Sequence, residues 1–538
     1  MMNRPFCQIV FLAALWASGW LAQAQNLDQI GVTLLRAMTT NVDGSGIGAA
    51  QPEANTDSNT NDPSAFEVNP AAVNQPSNLF TYASALGTAT GFTNAVGNES
   101  GHADGVAAIF YGRTGSGVAT NVAHVDNFDA DYFINYYLVS NLVALADSVV
   151  NQSFTFGNVS TNIPTPTNDL AVSDQQAVDL LYDNYAANYG TLFISAVNNG
   201  GSVSPPGTAY NSIGVAAFGG SSSVGPTLDN GRCKPDITAP ASVTSDSTPQ
   251  VAGAAALLMQ AALRGDGGND TNAAADIRTV KALLLNGAVK PADWTNTPPS
   301  PLDTRYGAGV LNVFNSYEQL AGGRQVYIDH QWIPTGGAHP PAATTNAVAG
   351  LSGWDFNALS SLGHPAYDAV NDYDFNATNG DGNANFTLTA TLVWNRQQGQ
   401  TNINNLALFL YNCADSNLVA CSTSLVDNIQ HIFLPALPQG RYDLQVWKAG
   451  ANSTVSDSET YALAWEFFSE RLTVAGADGN VSLSWPVYPD GFVLQATTNL
   501  VPPVTWSTNN PAPIVTNHQN AVRLNAPNAA QFFRLWRP

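Results

Sequence analysis

The hydrophobic pattern changes character once along the chain. From about Asn26 to Gly323, short apolar runs alternate with helically spaced stretches. Val149 to Phe154 reads as a buried strand, Leu192 to Val197 as a second and Ser212 to Phe218 as a third. Between the first two, Asp174 to Tyr189 has helical spacing, with Ala177, Leu180, Leu181 and Tyr185 as its apolar positions. Val251 to Leu263, rich in Ala and Leu, predicts a further helix. Pro249 stands at its start, where a missing N–H costs nothing. Strands alternating with helices predict a mostly parallel sheet flanked by helices.

From about Gln325 the helical period disappears. Phe386 to Leu392 alternates strictly, and Leu406–Leu410, His431–Leu434 and Arg441–Val446 are short strands between turn residues. This pattern predicts an antiparallel, jelly-roll-like sandwich. A last β module holds Val481–Trp485, Phe492–Gln495 and Phe532–Leu535. The fold class expected is therefore an α/β domain over residues 25–324, followed by two all-β domains over 325–468 and 469–538.

Composition narrows the function. The chain has 538 residues, with 18 Lys+Arg against 40 Asp+Glu and a net charge of −22. Nucleic acid is excluded as a partner, because phosphate binding needs clustered cations. Residues 1–24 carry Arg4, an apolar run and a small-x-small site at Ala22-Gln23-Ala24, the layout of a secretory signal peptide. The expected location is secreted, or extracellular. No later run is long enough for a membrane span. Cys413 and Cys421 flank a short polar segment, so a bridge across a hairpin is one expectation for an oxidising compartment and separate thiols the other. Cys233 is left over in a polar loop.

Candidate chemistry lies in Thr244-Ser245-Asp246-Ser247-Thr248-Pro249-Gln250-Val251-Ala252-Gly253. Ser245 sits just before the proline-started helix, where unpaired N–H groups and the helix dipole favour an oxyanion. Ser and Thr are also ordinary N-caps. Before residue 325 the histidines are His102 and His124. His102 opens an apolar helix-like run between glycines, whereas His124 reads as a strand histidine.

Taken together, these segments resemble the subtilisin-like serine proteases, from about Ile30 to Leu320. Thr244 to Gly253 follows that family's nucleophile motif, and His102-x-x-Gly105 its histidine motif. Val150 to Phe154 is similar to its cleft strand, and Ser195 to Gly201 to the segment bearing its oxyanion asparagine. Gly231 to Pro240, Lys281 to Ala288 and Tyr306 to Leu311 match further segments in order. The resemblance implies a serine endopeptidase acting on proteins or peptides through an acyl-enzyme. Ser245 would be nucleophile, His102 base and Asn199 oxyanion donor. Ser153, Phe154, Ala196, Val197 and Asn198 would border the substrate. The acidic partner expected is Glu53, after the Gly44-Ser45-Gly46 turn, with Asp43 and Asp57 as alternatives.

Departures from the family pattern keep a second reading open, that of a catalytically degenerate relative acting as a surface binding or adhesion protein. Val243 replaces a glycine, Asp246 an apolar residue, and little chain lies between Gln25 and the first strand for a folding pro-domain. An α/β-hydrolase esterase is disfavoured, since no Gly-x-Ser-x-Gly elbow occurs and the histidine precedes the serine. The mechanism requires no cofactor. Structural calcium is a candidate at Asp126, Asp129 and Asp131, and at Asp381.

Overall fold

The structure is a computed structural model. It describes residues 26–55, 63–157, 171–325, 329–337, 341, 348–361, 363–364, 366–378, 385–450, 455–469, 472–477, 480–487, 491–508, 510–516, 519–525 and 530–536. The signal-peptide segment, Asp57 and Asp381 lie outside these residues.

Among the described residues, ten strands precede residue 241: β1 (Gly48–Glu53), β2 (Ala65–Glu67), β3 (Phe80–Ser84), β4 (Gly87–Ala89), β5 (Asn98–Glu99), β6 (His124–Asp129), β7 (Val149–Gln152), β8 (Leu192–Ala196), β9 (Ile213–Phe218) and β10 (Ile237–Pro240). Eight of them form one sheet in the order β10-β9-β8-β7-β1-β6-β3-β4. Its neighbours pair in parallel except the β3–β4 hairpin. The strands anticipated at Val149, Leu192 and Ser212 are β7, β8 and β9. All residues of β1, β7, β8 and β10 are buried, as expected of a sheet covered on both faces.

The central helix runs Thr244–Arg264, not from Pro249 onward, so Pro249 lies inside it and Ser245 in its first turn. Residues 247–262 are all buried. Close packing depends on Gly253, where a Cβ would come within 2.4 Å of the Val118 Cβ.

The helix Val172–Tyr189 is turned differently from its expected apolar face. It buries Gln175, Asp179, Tyr182, Asp183, Tyr185 and Ala186, while Ala177 is exposed and Leu180 and Leu181 are half-buried. Buried cations explain the choice. Arg232 lies 2.9 Å from Asp179, and Arg396, from the β region, lies 2.7 Å from Asp183. Burial of a paired charge is tolerated where burial of a lone one is not.

Beyond residue 325 two sheets face each other. One orders Asp329–Pro334, Tyr367–Ala377, Gly440–Lys448, Leu406–Asn412 and Leu418–Ser422; the other orders Ser352–Ser360, Ser458–Phe468, Phe386–Trp394 and Ile429–Leu437. The alternating segment Phe386–Trp394 is buried at every position. Its apolar face fills the sandwich. Its polar face meets the helix Ile277–Asn286, where Thr389 and Thr391 both donate to Asn286 Oδ1 at 3.0 and 2.9 Å. Trp354, Val393, Ile429, Ala462 and Ala464 belong to the same buried cluster as the central helix. The last region folds into small antiparallel sheets.

The bridge considered for Cys413 and Cys421 does not form, and both are free. Cys421 pairs with Phe409, four residues before Cys413 along the strand. At ~3.3 Å per residue that offset exceeds the ~7 Å Cα limit for a disulfide. Cys233 is buried rather than in an open polar loop.

A shared core makes a stability prediction. Trp354 is fully buried and its Nε1 donates to the Leu320 carbonyl at 3.1 Å. Trp354→Ala should cost about 3–5 kcal/mol and lower the unfolding midpoint of the α/β domain and the sandwich together in urea titrations. Separate transitions, with one unmoved, would contradict the shared core.

Candidate functional site

The site forms where the carboxyl ends of β1, β7 and β8 meet the first turns of two helices. Glu53 ends β1 and is fully buried. Ser100 caps the helix Gly101–Phe110, accepting from the Ala103 N–H at 3.3 Å, which places His102 in its first turn. His102 Nδ1 lies 2.8 Å from Glu53 Oε2. Glu53 is therefore on the imidazole. Asp43 instead accepts from Ser45 at the preceding turn.

Two further residues hold Glu53, and neither was anticipated. Gln51 Nε2 donates to Glu53 Oε1 at 2.9 Å and to the Ala103 carbonyl at 3.0 Å. Tyr111 Oη donates to Gln51 Oε1 at 2.6 Å. Burial, aided by Tyr82, Glu53 and Asp104, pushes the Tyr111 phenol far up, so it remains a donor. Gln51 lies two residues before Glu53 on one strand and so shares its face. That spacing was the available signal.

Ser245 is fixed from two strands. Beyond β8, Asn199 Oδ1 accepts from the Thr244 N–H at 2.7 Å and the Thr244 hydroxyl at 2.8 Å. Beyond β7, Ser153 Oγ donates to the Ser245 carbonyl at 3.0 Å. Pro249 explains why that carbonyl is free. It is the residue whose N–H would close the helical bond to Ser245, and it has none. Ser245 Oγ donates to the Ser153 carbonyl at 3.3 Å. Among the described residues no acceptor takes the Asn199 Nδ2 group or the Ser245 N–H. Two donors are thus left beside the hydroxyl.

The expected substrate-border residues divide. Asn198 is half-buried with φ 93°, and its Oδ1 accepts from the Asn199 N–H at 2.8 Å. Ser153 reaches Ser245. Ala196 and Val197 are buried, Val197 with Val203 and Ala216. The Phe154 ring turns into the core beside Phe156, with centroids 6.3 Å apart.

Asp246 faces the site and is half-buried. Burial pushes its carboxyl up, and nearby His102 pulls it down. For His102, burial opposes the protonated ring, but Glu53 and then Asp246 outweigh it and hold the imidazole above its ordinary range. Of the candidate calcium ligands, Asp129 and Asp131 lie near enough to interact through their charges. Asp129 accepts from the Tyr132 N–H at 3.0 Å and from Ser64 Oγ at 2.6 Å. Asp126 lies three residues earlier in β6, nearer its amino end.

If Asp246 acts on the imidazole through its charge, Asp246→Asn should lower the His102 pKa while keeping the Glu53 contact. Imidazole NMR titration checks this, and an unchanged or raised value would contradict it.

Residues 87–309 match the family model described as Subtilase family. The match contains His102, Asn199 and Ser245, while Glu53 precedes it. No curated protein matches the chain. Among solved structures it is similar to the Aeromonas sobria serine protease in complex with its chaperone, at 14% identity over 92% of this chain and 88% of that one, TM-score 0.35. It is also similar to tripeptidyl peptidase 2, at 12% identity over 75% of this chain and 43% of that one, TM-score 0.30. The segment 87–309, which carries most of the parallel sheet and its helices, is thus a match to the subtilase family.

Proposed function

We propose that the protein is a secreted serine endopeptidase that cleaves peptide bonds through an acyl-enzyme, with Ser245 as nucleophile, His102 as base and Glu53 as the acid that orients it. The observation that carries this reading is the 2.8 Å contact of His102 Nδ1 with buried Glu53, on the helix beside the one that bears Ser245. With Nδ1 on the carboxylate, Nε2 is the nitrogen that accepts the proton in this mechanism.

The steps follow from the donors. In the first step the Ser245 hydroxyl leaves the Ser153 carbonyl and gives its proton to His102 Nε2 as the oxygen attacks the peptide carbonyl. Charge on the tetrahedral oxygen falls to Asn199 Nδ2 and the Ser245 N–H. Each such donor is worth about 3 kcal/mol in the transition state. Asn199 is oriented for this because Thr244 occupies its Oδ1. The imidazolium, stabilised by Glu53, then protonates the leaving amine, and water deacylates the enzyme by the same route.

The acid side of the mechanism has a sign. His102 acts as base only when neutral, and both Glu53 and Asp246 favour its protonated form. Asp246 therefore narrows the active range from the acid side without removing the base.

The purified chain should hydrolyse casein, and a fluorophosphonate should label Ser245 and stop the reaction. Ser245→Ala should lower kcat by about 10⁶-fold with unchanged circular dichroism. Absence of both label and hydrolysis in the folded protein would overturn the reading in favour of a binding protein.

A further inference from the structure

A second cluster with ligand chemistry occupies the opposite end of the central strands. β6 begins at His124, and Asp126, two residues on, shares its strand face. Asp147 stands just ahead of β7. β1 runs between β6 and β7, and its first residue, Gly48, is paired with His124. One ligand atom from each of His124, Asp126 and Asp147 lies within 4.8 Å of the others, the one such trio among the described residues.

Three observations point to a cation-binding site. The Asp147 side chain is 0% exposed, and its carboxylate, with His124 and Asp126 close beside it, makes no well-aligned hydrogen bond. His124 Nε2 lies 2.9 Å from Asp147 Oδ1, yet the two atoms lack hydrogen-bond alignment. A buried carboxylate and an imidazole this close, without an aligned hydrogen bond between them, suit two ligands of one ion. Finally, the space exists because residue 48 is glycine. A Cβ there would come within 2.6 Å of His124 Nε2 and 3.0 Å of Asp147 Oδ1.

We propose that His124, Asp126 and Asp147 bind one Zn²⁺ ion at the amino edge of the sheet, tying β6 to the segment entering β7 across the start of β1. One imidazole and two carboxylates suit zinc, whereas calcium and magnesium take oxygen ligands alone. Ligands on a tetrahedral zinc stand roughly 3.3 Å apart, so small side-chain rotations close the trio. The half-exposed face of His124 and Asp126 gives the ion a path from solvent and leaves a position for water. Glu53 lies at the far end of β1, so the ion has a structural role and takes no part in peptide hydrolysis.

Equilibrium dialysis of the metal-free full chain against ⁶⁵Zn²⁺ tests this, in a Ser245→Ala background that prevents self-cleavage. The expected result is one ion per chain with micromolar or tighter affinity, and a melting temperature raised by about 5 °C at saturating zinc. His124→Ala and Asp147→Asn should each weaken uptake by about tenfold or more. Asp126→Asn, at a half-exposed position, gives the same readout with least risk to folding. No stoichiometric uptake, uptake indifferent to His124→Ala and Asp126→Asn, or calcium uptake without zinc would overturn the proposal.

Discussion

The arrangement rests on the clamping of one helical turn between two strand ends. Thr244 is held by Asn199 from β8, and the Ser245 carbonyl by Ser153 from β7. Pro249 makes the second clamp possible by withdrawing the N–H that would otherwise occupy that carbonyl. A proline inside a helix normally costs about 3 kcal/mol. Here the orphaned acceptor is satisfied by a hydroxyl, and the exchange fixes the nucleophile candidate to the sheet.

The acid side is built from one face of β1 and the end of the helix that carries His102. Glu53, Gln51 and Tyr111 form a buried chain of hydrogen bonds that ends on the imidazole. Each member fixes the next, so the carboxylate reaches His102 with its second oxygen already satisfied. A buried carboxylate is tolerable on those terms and costly otherwise. The longer glutamate side chain is accommodated because Gln51, from the same strand, reaches one of its oxygens. Asp246 adds charge from the opposite helix and shifts the imidazole in the same direction as Glu53.

Much of this was legible in the sequence because it depends on short-range pattern. The strands at Val149, Leu192 and Ser212, the Ser245 segment and the glycine-flanked His102 announce themselves by pattern and by motif. What escaped depends on long-range pairing. The helix Val172–Tyr189 buries carboxylates because Arg232 and Arg396 arrive from distant segments, which periodicity does not record. The alternation of Phe386–Trp394 marks two faces but not what covers the polar one. Asn286 covers it. The helix start was placed at Pro249 because a first-turn proline is the commoner case; the strand-end clamps override it. Gln51 and Tyr111 were missed because a glutamine and a tyrosine carry no motif of their own.

The central claim is that Ser245, His102, Glu53 and Asn199 act on one reacting centre. A crystal structure of the fluorophosphonate adduct tests it most directly. The account predicts phosphorus bonded to Ser245 Oγ, its oxygen within hydrogen-bonding distance of Asn199 Nδ2 and the Ser245 N–H, and His102 Nε2 beside Oγ with Nδ1 still on Glu53. An adduct on another residue, or a phosphonyl oxygen turned away from Asn199 with His102 released from Glu53, would contradict it.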